Sequence, residues 1–249
     1  MLETIYGRQA IREALRAGRR VRRLLVARGA RDNAVLRELV ALAAAQRVPV
    51  QNVERAQLDR LTDHHQGVAA EVEPYAYADL SDLLYAVRGT RPPLYLVLDS
   101  LQDPQNFGTL LRAAAAVGVA GVVLPQHRAV GVTPGVRRAS AGTVERLRVV
   151  RATNLVRALE QLKAAGVWIV GLDAAAPQRY DTVDARGPTA LVVGSEEHGL
   201  SRLVRQTCDF VVSLPMEPGV ESLNAAVAGS IVLYEYYRQR LNRDPPGRN

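Results

Sequence analysis

Apolar positions along this chain recur at two spacings, and the change from one to the other marks its elements. Over residues 7–17 the apolar set Ala10, Ile11, Ala14 and Leu15 has helical spacing, and Val35, Leu39 and Leu42 repeat it over 34–46. Residues 21–27 read as a strand with arginines on one face. Residues 48–53 and 67–72 read as shorter strands, and 55–61 as a short helix. The polar, proline-bearing run Glu73-Pro74-Tyr75-Ala76-Tyr77 suits a linker, 79–87 a connecting helix, and Arg91-Pro92-Pro93 closes the region. Beyond it, short apolar runs at 94–98, 121–124, 167–172, 190–193 and 210–214 alternate with helical patterns at 107–117, 154–165, 201–207 and 222–240. Fully apolar strands separated by helices predict an α/β domain with a parallel sheet covered on both faces. The expected division is a small α/β domain over 1–73, a linker over 74–93, a second domain over 94–241 and a disordered tail over 242–249.

In such sheets ligands sit beyond the carboxyl ends of the strands, so the loops after Leu98, Val193 and Leu214 are where chemistry is expected. The first loop, from Asp99, runs into Asn106, a candidate N-cap, and then Arg112, whose helical neighbours are Gly108, Ala115 and Ala116. A long cation rising from such small side chains leaves room for a substrate, although an exposed surface arginine fits equally well. The second loop is Gly194-Ser195-Glu196-Glu197-His198-Gly199. Gly194 ends a buried strand, where a missing side chain permits close backbone approach. The third runs from Leu214 through Met216 and Pro218-Gly219 to Ser222, a candidate N-cap, Leu223 and Asn224. The small residues Ala225, Ala226, Ala228, Gly229 and Ser230 follow and suggest a protein interface or an alanine-rich core helix. No P-loop, nucleophile elbow or dinucleotide-binding glycine motif is present, which counts against nucleotide hydrolysis, serine hydrolysis and nicotinamide chemistry. His198 lacks a partner at ligand spacing and reads as solvent-facing, and no metal site is expected.

Composition changes the picture in two places. Aromatic residues make up only 5% of the chain, so its core must be built from Ala, Val and Leu. The net charge of +7 is almost entirely arginine, Lys163 being the one lysine. Seven arginines between Arg16 and Arg31 have no acid among them; this run reads either as a solvated basic face or as a footprint for a phosphate backbone. The single cysteine, Cys208, reads as a small buried hydrophobe and fits a reducing compartment. With no long apolar run and no apolar leader pattern after Met1, a cytoplasmic protein without a membrane span is expected.

The three loops taken in order, Asp-Pro-Gln-Asn-Phe-Gly-Thr-Leu-Leu-Arg, Gly-Ser-Glu-Glu-His-Gly-Leu and Leu-Pro-Met…Ser-Leu-Asn, resemble the three motifs of the SpoU (TrmH) family of RNA ribose 2′-O-methyltransferases, in the SPOUT superfamily. Ile5-Tyr6-Gly7 and His65-Gln66-Gly67-Val68-Ala69-Ala70 resemble the substrate-binding domain of its RlmB-type branch. Leu214 stands where the family often has Ile, and Glu217 and Glu221 make the third loop more acidic than usual. The resemblance implies a catalytic domain with a C-terminal trefoil knot, an N-terminal L30e-like domain that binds RNA, and a homodimer with active sites at the subunit interface. It implies S-adenosylmethionine as cofactor, held by Gly194, Leu214, Met216 and Leu223. It implies methylation of a guanosine in the peptidyl-transferase region of 23S rRNA; a tRNA target, or a non-catalytic RNA-binding assembly factor, is the alternative. Arg112 takes the catalytic position, with Asn106, Glu196, Ser222 and Asn224 around it, and Arg8, Arg19, Arg20, Arg22 and Arg23 become the RNA grip. Arginine stays protonated in water, so Arg112 is expected to position the ribose hydroxyl and phosphate while phosphate or water takes the proton.

Overall fold

The computed structural model describes residues 2–220 and 222–241; the expected tail and Glu221 lie outside the described residues. In chain order the elements are β1 (Glu3–Tyr6), α1 (Arg8–Arg16), β2 (Val21–Ala27), α2 (Ala34–Ala45), β3 (Val50–Val53), α3 (Arg55–Asp59), β4 (Val68–Val72), α4 (Leu80–Ala86), β5 (Leu94–Leu98) and α5 (Pro104–Ala116). They continue with β6 (Gly121–Pro125), α6 (Pro134–Ala139), β7 (Val149–Ala152), α7 (Leu155–Ala164), β8 (Trp168–Leu172), β9 (Gln178–Arg179), β10 (Thr189–Val193), α8 (Arg202–Thr207), β11 (Phe210–Ser213) and α9 (Ala225–Leu241). The chain divides into two compact units, 1–76 with 132–146, and 77–131 with 147–249.

The first unit carries a four-stranded sheet in the order β1-β4-β2-β3. Ile11, Leu15 and Leu39 pack on Leu24, Val26 and Val68 on one face, while Leu25, Ala27, Val53 and Leu58 form a second cluster. β2 therefore buries alternate residues on both sides. Its arginines do not sort onto one face by alternation: Arg22 and Arg23 are both exposed because the register with β4 shifts between Val21 and Arg23. Residues 132–146 fall inside the stretch expected to form the second domain, yet they pack with this unit. α6 is started by Thr133, whose side chain accepts from the Val136 N–H, and by Pro134 in the first turn, where no amide donor is needed.

Arg137, 1% exposed, lies within this unit between Glu3 Oε2, at 2.6 Å from Nη1, and Glu145 Oε1, at 3.3 Å from Nε. Arg19 pairs with the same two carboxylates. Burial, and then the neighbouring Arg19 charge, pull the Arg137 pKa down while the two glutamates oppose them. Removing one partner from such a cluster leaves uncompensated buried charge. Arg137→Met is therefore expected to cost about 3 kcal/mol, read as a lower urea midpoint with unchanged slope; a shift within error contradicts it.

The second unit is a seven-stranded sheet in the order β7-β6-β5-β10-β8-β11-β9, with every pair parallel. Tyr95, Val97, Ala190 and Val192 pack beneath Leu83 of α4, Leu159 and Leu162 of α7 and Val204 of α8. The residues between them along each strand face the other side, where a Cβ on Gly229 of α9 would meet Leu110 of α5 and Val193 of β10. The small residues of α9 thus serve intramolecular packing: Ala226 and Gly229 are buried, and a close α5–α9 approach is what their lack of bulk permits. The outward face of α9 is instead apolar and exposed at Val227, Ile231, Tyr234 and Leu241.

Two expected helix starts are corrected. α5 begins earlier than Asn106, because Asp103 accepts from the Gln105 and Asn106 amides and Pro104 fits the first turn. α9 is capped by Asn224 rather than Ser222: its Oδ1 accepts from the Ala226 and Val227 amides. Both shifts matter, since they free Asn106 and Ser222 for other contacts.

Candidate active site

At the carboxyl ends of β8, β10 and β11 lies a cleft of about 480 Å³. Leu172–Ala175 form one wall, 193–199 a second, and Leu214, Met216, Ser222–Ala225 and Ala228 a third. A cavity of about 810 Å³ opens elsewhere, around Asp181–Asp184 and Arg238, but its charges are paired (Arg186 with Asp184, Arg238 with Glu235) and it holds none of the loop residues singled out above. The smaller cleft is where residues of the second and third loops converge.

The second loop is a tight turn: the Ser195 and Gly199 amides each donate to the other's carbonyl at 3.0 Å, and the His198 amide donates to Ser195 Oγ. Gly199 has φ +62°, and a Cβ on Gly194 would fall on the Gly199 carbonyl group, so here the missing side chain is a steric requirement. Glu197 and His198 point to solvent, each 86% exposed. The loop leaves through Ser201, whose amide donates to Asp99 Oδ2 at 2.7 Å. Asp99 is itself buried at the end of β5.

One hydrogen-bonded chain joins the three loops. Asn106 Nδ2 donates to Glu196 Oε1 at 2.7 Å, and Asn224 Nδ2 donates to Asn106 Oδ1 at 2.9 Å. The other end of the Asn224 amide caps α9. Gly194, Glu196, Leu214, Met216, Ser222, Leu223 and Asn224 all line the cleft. Arg112 does not. It lies on the exposed face of α5 with Gln105, Thr109 and Ala116 and, among the described residues, makes no hydrogen bond or ion pair. The wall at Leu172–Ala175 was missed from sequence, although the carboxyl end of a predicted strand was the signal; nothing in the chain order says that β8 neighbours β10. Asp173 there pairs with Arg205 and accepts from the Ala175 amide. Cys208 packs on the core, and burial raises its thiol pKa to about 12, which suits an inert hydrophobe.

The arginine run is not one charged surface. Arg19 is buried among Glu3, Glu145 and the Glu73 carbonyl, and Arg8 is spent on Gln66, Asn33 and the Arg31 carbonyl. Arg20, Arg22 and Arg23 stay accessible, each with Glu73 or Glu71 within 4 Å. Acids distant in sequence have been brought alongside them by β4. His65, which opens the stretch resembling the substrate-binding domain, is buried: its Nδ1 accepts from the Gly67 amide, so Nε2 carries the proton toward Asp59 at 2.7 Å.

Among the described residues no group of three metal-ligating side chains gathers, and no helix is long and apolar enough to cross a membrane. The cleft is lined by small residues (Gly194, Ala174, Ala175, Ala225, Ala228) and by apolar Leu172, Val193, Leu214 and Met216. That lining suits a nucleoside-sized ligand bound through backbone groups.

Comparison with known proteins gives the same picture. Residues 93–234 match the SpoU rRNA methylase family, and residues 4–78 match the RNA 2′-O ribose methyltransferase substrate-binding family. A Bacillus subtilis relative, YacO, named for the TrmH family of tRNA/rRNA methyltransferases, is 43% identical over 95% of both chains. The SpoU methyltransferase AviRb of Streptomyces viridochromogenes, solved in complex with AdoMet, superposes with a TM-score of 0.81 at 30% identity, covering 97% of this chain and 91% of that one. An AdoMet-bound rRNA methyltransferase of Sinorhizobium meliloti gives 0.80 at 26% identity, over 95% and 87%. The Aquifex aeolicus TrmH/SpoU tRNA-modifying enzyme gives 0.55 at 28% identity and covers 66% of this chain and 83% of its own.

Proposed function

We propose, from the premise that this chain belongs to the SpoU family of RNA methyltransferases, that it methylates the 2′-hydroxyl of a guanosine in the peptidyl-transferase region of 23S rRNA. S-adenosylmethionine is the cofactor of this family's chemistry. The observation that carries the assignment of the site is the Asn106–Glu196–Asn224 chain, which ties three separate loops into one rim around a cleft of cofactor size. The rRNA target is supported by coverage: the neighbour titled as an rRNA methyltransferase matches 95% of this chain, the one titled as a tRNA-modifying enzyme 66%.

Gly194, Leu214, Met216 and Leu223 would hold the cofactor, which supplies when bound an electrophilic methyl group on a sulfonium. Glu196 and Asn106 keep the second loop over the cleft. Ser222, which has no capping duty, is free to meet the nucleotide. Arg112 orients the ribose hydroxyl and the adjoining phosphate, and phosphate or water accepts the hydroxyl proton. Orientation of this kind lowers a barrier by roughly 7–11 kcal/mol at best.

Arg112 is exposed and does not line the cleft of its own chain, and α9, which packs on α5, carries an exposed apolar stripe. A second copy covering Val227, Ile231 and Tyr234 removes that surface from water and brings an Arg112 to a cleft. The working form is therefore a homodimer whose sites combine residues of both protomers. In the same reading the segment from β11 to α9 threads the knot of the SPOUT fold, the first unit is an L30e-like RNA-binding domain, and the enzyme works in the cytoplasm.

The test is mass-spectrometric mapping of 2′-O-methyl groups on RNA from cells lacking this protein. One 2′-O-methylguanosine is expected to vanish from 23S rRNA. Loss confined to tRNA moves the target; an unchanged map overturns the enzymatic reading in favour of an assembly factor.

A further inference from the structure

A basic and aromatic cluster lies outside the cleft, at the carboxyl ends of β6 and β7. Arg151 is exposed at the end of β7. One of its nitrogens donates to the Gln126 carbonyl at 2.8 Å, and its guanidinium carbon lies 5.2 Å from the centre of the Tyr77 ring. The Gln126 amide in turn donates to the Ala152 carbonyl, so the ends of the two strands are tied together. Two residues beyond Gln126 comes Arg128, exposed and at φ +60°, preceded by exposed His127. Neither 125–131 nor 147–157 contains an acidic residue. The nearby Asp79 serves the capping box with Asp82 at the start of α4. Among the described residues, Arg128 and Arg151 pair with no carboxylate, in contrast to Arg19, Arg20, Arg22 and Arg23.

The cluster is joined to the active-site loops. The Val130 amide donates to the Leu101 carbonyl, in the segment that leads to Asn106. The strand order puts β6 two strands and β7 three strands from β10. At about 4.8 Å per strand that is roughly 10–14 Å along the same edge of the sheet. Nucleotides next to the one being modified pass within that distance.

We propose that Arg128 and Arg151 form a subsite for the single-stranded RNA flanking the methylated nucleotide. Arg128 holds a backbone phosphate. Arg151, held near the Tyr77 ring and by the Gln126 carbonyl, offers its guanidinium to a base, the mode by which planar cations and aromatic rings take unpaired RNA. The inference rests on the RNA methyltransferase reading above.

The test separates the two. Full-length protein is titrated against a fluorescein-labelled, mixed-sequence single-stranded RNA 20-mer, and methyl incorporation is measured in parallel on unmodified 23S rRNA transcript. Arg151→Ala and Arg128→Ala are each expected to weaken 20-mer binding about fivefold to tenfold and to reduce the slope of log affinity against log salt by about 0.7. On the transcript KM rises by a similar factor while kcat and cofactor affinity hold. Arg151→Lys restores the salt slope but not the full affinity. Arg148→Ala, at the opposite end of β7, behaves as the parent protein. Both side chains are exposed, so melting temperatures stay unchanged. Unaltered 20-mer binding and salt slope in both alanine variants overturn the subsite whether or not methyl is transferred. Normal 20-mer binding by the parent protein with no methyl incorporation into any RNA instead counts against the enzymatic reading.

Discussion

Gly194→Ala is expected to weaken binding of S-adenosylmethionine at least about a hundredfold while leaving a folded protein of lower stability. A Cβ at this position would lie 2.5 Å from the Leu200 nitrogen and closer still to the Gly199 carbonyl group. Those atoms are main chain, so no rotamer change relieves the clash; the turn has to open. Opening it breaks the paired Ser195–Gly199 hydrogen bonds, worth about 1 kcal/mol each, and overpacking adds roughly 1–3 kcal/mol. The wall of the cleft formed by 193–199 moves with the turn. Calorimetric titration should give an affinity at least about a hundredfold weaker, the equivalent of roughly 3 kcal/mol. Gly187→Ala is the matched control, since a Cβ there meets nothing within 4 Å. An affinity for Gly194→Ala within threefold of the parent protein contradicts the role given to this loop.

Arg112→Ala should lower kcat by about two to three orders of magnitude, the usual size of effect when a pre-placed electrostatic group is lost. Stability should not change, because Arg112 is exposed and makes no contact that folding depends on. Arg112→Lys keeps the charge but loses the planar fork, so it should recover little activity if the guanidinium orients hydroxyl and phosphate together. Full activity in the lysine variant removes the positioning role. Mixing the inactive Arg112→Ala and Gly194→Ala proteins tests the shared site. In a mixed dimer one site then combines the intact cleft of the first protein with the intact Arg112 of the second, and about a quarter of parental activity returns. If Arg112 acts on the cleft of its own chain, both sites of the mixed dimer stay defective and nothing returns.

Periodicity located most elements of both units to within a few residues, since apolar spacing is a local property of helices and strands. The misses have local causes. The missed β1, β7 and α6 are short, four, four and six residues, and mix charged or polar residues with few apolar ones, so no period stands out. β9 is a two-residue edge strand. Spacing places the caps at Asn106 and Ser222, whereas Asp103 and Asn224 make the capping bonds, because each loop holds several residues able to cap and only the contacts choose between them. The arginine run misled for a related reason. Charge in sequence is counted along the chain, whereas Glu71, Glu73 and Glu145 neutralise it across β4 and from residues 132–146.

The element types, the parallel class of the larger sheet, the three motif loops and the family to which they belong are legible in the chain alone. Each of these is written in spacing or in contiguous residues. Folding in three dimensions sets which loops share a cleft, the Asn224–Asn106–Glu196 chain, the packing of residues 132–146 with the first unit, and the place of Arg112 outside the cleft of its own chain. The physical reason is that strand order and long-range contacts arise from packing both faces of a sheet at once. Residues about a hundred positions apart, such as Asp99 and Ser201, become hydrogen-bonded neighbours through a free energy that no local stretch of sequence carries.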